Sequence, residues 1–195
     1  MMLNAAITLS LLLLSLQCAA KDAPAELKGL VLPQESLLAF AVADLNGDGL
    51  EDFVFVVEIK PSEASSEKED DGKRVLKIAL RYSDNSLSVV KVNEKVVHCR
   101  KCGGSWGDPF GGLNASKRTF SIEHAGGSSW RWSNSYQFNY SRKDGTWQLV
   151  YVEENSYHSS DPNKITNKTY RPPKSFGKID ISEFDPEHFE GVGKK

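Results

Sequence analysis

The stretch Asp44-Leu45-Asn46-Gly47-Asp48-Gly49-Leu50-Glu51-Asp52 places oxygen side chains at the first, third, fifth and ninth positions of a short loop, with glycine at the sixth. This is a donor pattern for a hard divalent cation, since Ca2+ takes six to eight oxygen ligands and a tight loop can wrap them around it. The assignment uses the side chains of Asp44, Asn46, Asp48 and Asp52, and the backbone carbonyl of Leu50 at the seventh position. Gly49 supplies a turn with positive φ. An ion with a full protein ligand set and no histidine beside it suits a structural staple better than a catalytic centre, which keeps an open position. The alternative is an empty acidic turn, because Asn-Gly and Asp-Gly are also hairpin signals. Four oxygen residues at ligand spacing favour the ion.

A second group with chemistry is Cys99-Arg100-Lys101-Cys102. Three readings compete: a disulfide closing the loop, part of a zinc site with His98 and His124, or a redox pair. Redox pairs sit at a helix N-terminus that lowers the thiol pKa, whereas Gly103-Gly104-Ser105 is no helix start. Zinc wants four ligands, and only three are close in sequence. The disulfide is favoured. Beyond it, Trp106, Asp108 and Phe110 stand in a glycine-rich loop from Gly103 to Gly112 and form the first candidate surface for a partner, as loops carry function more often than strands do.

Catalytic motifs are absent. The chain has no His-Glu-x-x-His, no Gly-x-Ser-x-Gly and no phosphate-cradling Gly-x-x-x-x-Gly-Lys. Its 26 carboxylates allow acid pairs to be picked at will, so none carries weight without geometry. Asn114, Asn139 and Asn167 match the N-glycosylation pattern, which matters only in a eukaryotic secretory route.

The elements that must position these groups read as β-strands. Leu37 to Ala43 and Phe53 to Val57 are short apolar runs on either side of the oxygen-rich loop, so the ion would sit in a strand–loop–strand unit. Arg74 to Tyr82 alternates, with Leu76, Ile78, Leu80 and Tyr82 on one parity; Leu87 to Val92 returns, and Thr119 to His124 follows. Trp130, Trp132, Tyr136, Phe138 and Tyr140 share one parity opposite a polar set, which predicts an aromatic core face. Trp147 to Glu153 pairs back as a hairpin, Ile165 to Tyr170 and Phe176 to Ile181 are candidate closing strands, and Glu183 to Glu190 a helical turn. The expected fold is all-β and mainly antiparallel, a sandwich or strongly curved sheet.

Residues 1–20 carry no charge, and Ala5 to Leu16 has the length of a signal-peptide core rather than a membrane span. Cleavage after Ala20 would export the chain, to the periplasm or beyond. A lipid anchor at Cys18 is the less favoured option, because Ser15-Leu16-Gln17 lacks the small residue that usually precedes a lipidated cysteine. Residues 21–36 read as a loosely packed arm, 37–190 as one β-domain interrupted by the polar loop 61–73, and 191–195 as a tail. A formal charge of −2 with no basic block argues against nucleic acid.

The strand-flanked Asp-x-Asn-x-Asp-Gly-x-x-Asp loop, Asp44 to Asp52, resembles the single repeat of the FG-GAP and VCBS families, with Phe55 where a helix–loop–helix site would carry its bidentate glutamate. With the Cys-x-x-Cys-Gly-Gly, Gly-Asp-Pro-Phe and Gly-Gly-Ser-Ser-Trp-Arg-Trp-Ser segments, the chain also looks like a group of small exported bacterial proteins of unassigned function. The resemblance implies calcium and a shared fold, not an activity. The leading expectation is a non-enzymatic exported calcium-binding domain, a structural or binding factor of the envelope with a protein or glycan ligand. Its rivals are a hydrolase of polysaccharide or cell wall with acids near Asp108, and an inhibitor or immunity-type protein that blocks a periplasmic enzyme.

Overall fold

The computed structural model describes residues 23–61 and 71–191, so the leader with Cys18, most of the polar loop 61–73 and nearly all of the tail lie outside the described residues. A one-turn helix α1 (Ala25–Lys28) precedes nine strands: β1 (Glu35–Ala43), β2 (Asp52–Ile59), β3 (Arg74–Arg81), β4 (Leu87–Asn93), β5 (Phe110–Ser116), β6 (Thr119–Gly127), β7 (Trp130–Ser141), β8 (Thr146–His158) and β9 (Thr166–Tyr170). They form two antiparallel meanders, a four-stranded sheet in the order β1-β2-β3-β4 and a five-stranded sheet β5-β6-β7-β8-β9. The fold is all-β, consistent with a sandwich. No helix among the described residues is long and apolar enough to cross a membrane.

The near-continuous apolar run of β2 follows from burial on both faces. Val54 and Val56 turn inward to the inter-sheet core with Leu76, Ile78, Phe120, Ile122, Phe138 and Trp147. Phe53, Phe55 and Val57 turn the other way and are covered by Leu27 of α1. The N-terminal segment is therefore packed, unlike the loose arm expected from its polarity. Leu27 is fully buried, and Glu35 makes a buried ion pair with Lys77, Nζ to Oε1 2.6 Å. Leu27 and Glu35 meet partners on β2 and β3 far away in sequence, which local composition does not register.

Other differences have similar causes. Phe110–Ser116 is a strand, although its two glycines weaken the period-two signal; β6 pairs with it from Ser116↔Thr119 to Phe110↔His124. Phe176 to Ile181 is no strand: a single bridge joins Asp180 to Gln148, and no helix forms over Glu183 to Glu190. The segment closes the core with Phe176, Ile181, Phe184 and Phe189 all the same. On β7, Tyr136 and Phe138 are buried as the aromatic face requires, but Trp130 is 64% exposed because it sits at the strand's outer end, beyond the opposing sheet. Tyr82, at 46% exposed, lies just past the end of β3.

Candidate functional site

The oxygen-rich loop joins β1 to β2 at the edge of the sandwich, and the pairing Ala43↔Asp52 closes it. Leu45, the one apolar residue inside its first half, is fully buried in the inter-sheet core. Its carbonyl accepts the indole N–H of Trp147 at 3.0 Å, and the carbonyl of Asp44 accepts the N–H of Arg118 at 2.8 Å. The loop is thus tied to the second sheet by backbone groups. Its side chains remain turned to one another.

Asp44, Asp48 and Asp52 each offer a carboxylate oxygen, and the three atoms lie within 4.8 Å of one another. Two oxygens on opposite sides of a Ca2+ ion are about 4.6–5.2 Å apart, twice the usual coordination distance, so one ion fits this spacing. Asp44 Oδ1 accepts the N–H of Gly47 at 2.7 Å, and its Oδ2 is shielded from solvent without a hydrogen bond. The Lys117 ammonium stands 3.2 Å from that Oδ2 without hydrogen-bond alignment. Asp52 accepts the N–H of Leu45 at 2.8 Å and of Arg81 at 2.9 Å, which leaves each oxygen a lone pair. The donor chemistry fits a hard cation.

Asn46 and Leu50 take supporting positions. Asn46 Oδ1 accepts the N–H of Asp48 at 2.9 Å while its Nδ2 donates to Asp48 Oδ2 at 2.8 Å. Ligation by Asp48 Oδ2 would exchange that amide bond for an ion contact. Leu50 follows Gly49 in the bend, and its N–H donates to Asp48 Oδ1 at 2.8 Å. Gly47 and Gly49 both have positive φ, 84° and 94°. At Gly47 a Cβ would also overlap the guanidinium of Arg118, so the residue is needed twice over.

The charges around the loop are unbalanced. Burial pushes the Asp52 carboxyl up, and the neighbouring Asp48 adds to that against the N–H groups of Arg81, Leu45 and Asn46, so Asp52 is raised from its ordinary value. For Asp44, burial is outweighed by Lys117 and by the N–H groups of Gly47 and Gly49, and the net direction is down. A divalent ion among the three would hold all of them ionised. Lys117 and Arg118, on the turn between β5 and β6, lean over the same loop and would compete with such an ion.

Cys99 and Cys102 form a disulfide, with Cα atoms 5.1 Å apart. No thiolate is then left to join His98 and His124 around zinc. The closed loop is docked by Arg100 N–H to Gly72 O at 3.0 Å and Lys101 N–H to Asp71 O at 3.2 Å. His124 is buried in the core end nearby. Its Nε2 accepts the His98 N–H at 3.3 Å and its Nδ1 has no partner.

The three residues of the glycine-rich loop separate. Asp108 makes a two-pronged pair with Arg74, 2.6 Å and 2.5 Å, and the same guanidinium binds Glu58 Oε2 at 3.0 Å. Those bonds to Arg74 hold the Asp108 carboxyl below its ordinary range, the opposite of what a general acid needs. Arg74 is 1% exposed and bolts the first sheet to the loop that opens the second. Phe110 packs against the inter-sheet core beneath that guanidinium, 5.9 Å from it. Trp106 alone keeps a large outward surface, 54% exposed, with the Arg131 guanidinium 4.5 Å from its ring centre. Neither Arg74 nor Arg131 is marked by the sequence, since a strand-end arginine looks like any solvated charge.

Comparison with protein-family models, curated proteins and solved structures finds no match to this chain.

Proposed function

We propose that this chain is an exported, non-enzymatic β-domain that binds one Ca2+ ion in the Asp44–Asp52 loop and serves as a structural or binding factor of the cell envelope. The observation that carries the reading is the meeting of three carboxylate oxygens within 4.8 Å at the end of a hairpin. Asp44, Asp48 and Asp52 would hold the ion, joined by the Asn46 side chain and the Leu50 carbonyl. The ion would supply positive charge that fixes the hairpin turn, and through Leu45 the edge of the core. Export is supported by the uncharged apolar leader and by the disulfide, which persists in oxidising compartments.

Thermal unfolding with added calcium and with chelator tests the ion. At a hundredfold excess over its dissociation constant, calcium bound only by the folded state stabilises it by about 2.7 kcal/mol. Asp48→Ala abolishes the effect. An unchanged midpoint on chelation, or an Asp48→Ala protein that titrates like the parent, removes the reading. Capture of partners from the native envelope with and without calcium then addresses the ligand.

A further inference from the structure

The outer face of the five-stranded sheet carries a trough of about 340 Å³. Its centre is made by two cross-strand rows set by the register, Glu123–Ser135–Glu153 and Ala125–Ser133–Asn155. Members of a row share one face, and this face points away from the core that Ile122, Tyr136 and Val152 enter. Small side chains on β6 and β7 form the floor. Glu123 stands on one side, Glu153 and Asn155 on the other.

Glu153 is held in place rather than left to wave in solvent. Tyr151 Oη donates to its Oε2 at 3.0 Å, and the amides of Asn155 and Asn167 donate to its Oε1 at 3.2 Å and 2.9 Å. Neither Glu123 nor Glu153 has an ion pair among the described residues. Two residues before Ser133 on the same face, in the cross-strand row next to the trough, Arg131 lies over the exposed ring of Trp106.

A solvated sheet face is polar in any case. What sets this one apart is that its polar groups are mostly short, hydrogen-bonded to one another, and arranged around a concavity, with an exposed tryptophan against the next cross-strand row. Protein partners favour an apolar centre, and the floor here offers only Ala125. A fixed carboxylate accepts from two adjacent hydroxyls at once, while serine hydroxyls and an asparagine amide can donate and accept in return. An indole face stacks on the C–H face of a sugar ring. Two unpaired carboxylates repel anionic ligands.

We infer that this trough binds a neutral polysaccharide chain, with Glu153, Asn155 and Ser133 contacting its hydroxyls and Trp106 stacking on a ring. The inference rests on the binding role proposed above and names its ligand class, but does not use the calcium loop.

The test is electrophoresis of the full mature chain through native gels containing a β-glucan, glycogen, galactomannan or xylan, with polygalacturonate as the anionic control. Retardation by at least one neutral polysaccharide is expected, with tenfold or greater weakening in Glu153→Gln and in Trp106→Ala. Ser133→Tyr, which fills the trough, gives the same loss, and near-ultraviolet circular dichroism checks that each variant is folded. Retardation by none of the neutral chains overturns the inference. So does retardation by polygalacturonate alone, or binding that folded Glu153→Gln and Trp106→Ala both keep. If calcium still stabilises a protein that no glycan retards, the trough fails and the ion loop stands; retention of glycan binding in a protein indifferent to calcium gives the reverse.

Discussion

The indole N–H of Trp147 donates to the carbonyl of Leu45 at 3.0 Å, so a strand of the second sheet holds the backbone of the oxygen-rich loop that belongs to the first. Both partners are buried. Trp147→Phe keeps most of the ring but strands a buried carbonyl, and a loss of about 1–3 kcal/mol follows. Urea unfolding with an unchanged slope measures it. A loss below about 0.5 kcal/mol would show that the bond contributes little to holding the loop.

Lys117 occupies the charge position that a cation in the loop would contest, 3.2 Å from Asp44 Oδ2. Its side chain is largely exposed, so the competition is screened. Lys117→Ala should tighten calcium roughly two- to fivefold, equivalent to about 0.5–1 kcal/mol. Calorimetric titration of parent and variant reads this directly, and a weaker affinity in the variant contradicts the arrangement.

Arg74 satisfies Asp108 and Glu58 together while almost wholly buried. Arg74→Met removes the buried cation that Asp108 and Glu58 share, leaving only the half-exposed Arg100, 3.6 Å from Glu58 Oε1, and costs about 3 kcal/mol. Adding Asp108→Asn to that variant should recover part of the loss. Strictly additive losses in the double-mutant cycle would mean that Asp108 and Arg74 act independently.

His124 sets a pH dependence whose sign follows from its burial. Chiefly through desolvation, with His98 and Arg74 adding and Asp108 opposing, its pKa falls from 6.5 to about 3. The unfolded chain therefore binds a proton that the folded one refuses between these values, and stability drops as pH falls, by up to about 1.4 kcal/mol per pH unit. Partly buried His98 shifts the same way, chiefly by desolvation against the charge of Glu187. Unfolding free energies from pH 7 to 5, above most carboxylate titration, should show a shallower slope in His124→Gln. Equal slopes in parent and variant would remove His124 from the account.

The Cys99–Cys102 bridge closes a very short loop, so its entropic contribution is small, about 2 kcal/mol. A thiol assay on unreduced, denatured protein lacking residues 1–20 should find neither cysteine reactive. Reduction should lower the melting temperature modestly and loosen the contacts of Arg100 and Lys101 with residues 71 and 72.

The sequence by itself determined the all-β class and the ion loop as a candidate. Alternation in Arg74–Arg81 and Trp130–Ser141, and the oxygen spacing from Asp44 to Asp52, are local properties, and local geometry makes side chains two apart share a face and loop oxygens converge. The cysteine spacing favoured a short bridge but left the metal and redox readings open, and the structure closed the bridge. What only the tertiary structure decided are relations across tens of residues: that Leu27 covers Phe53 and Phe55, that Asp108 pairs with Arg74, that Lys117 faces Asp44, and that Trp130 stays outside the core. The trough was equally out of reach, because Glu123, Ser135 and Glu153 become neighbours only through strand register. Register depends on turn geometry and on how both faces are buried, and no short stretch of sequence contains that information.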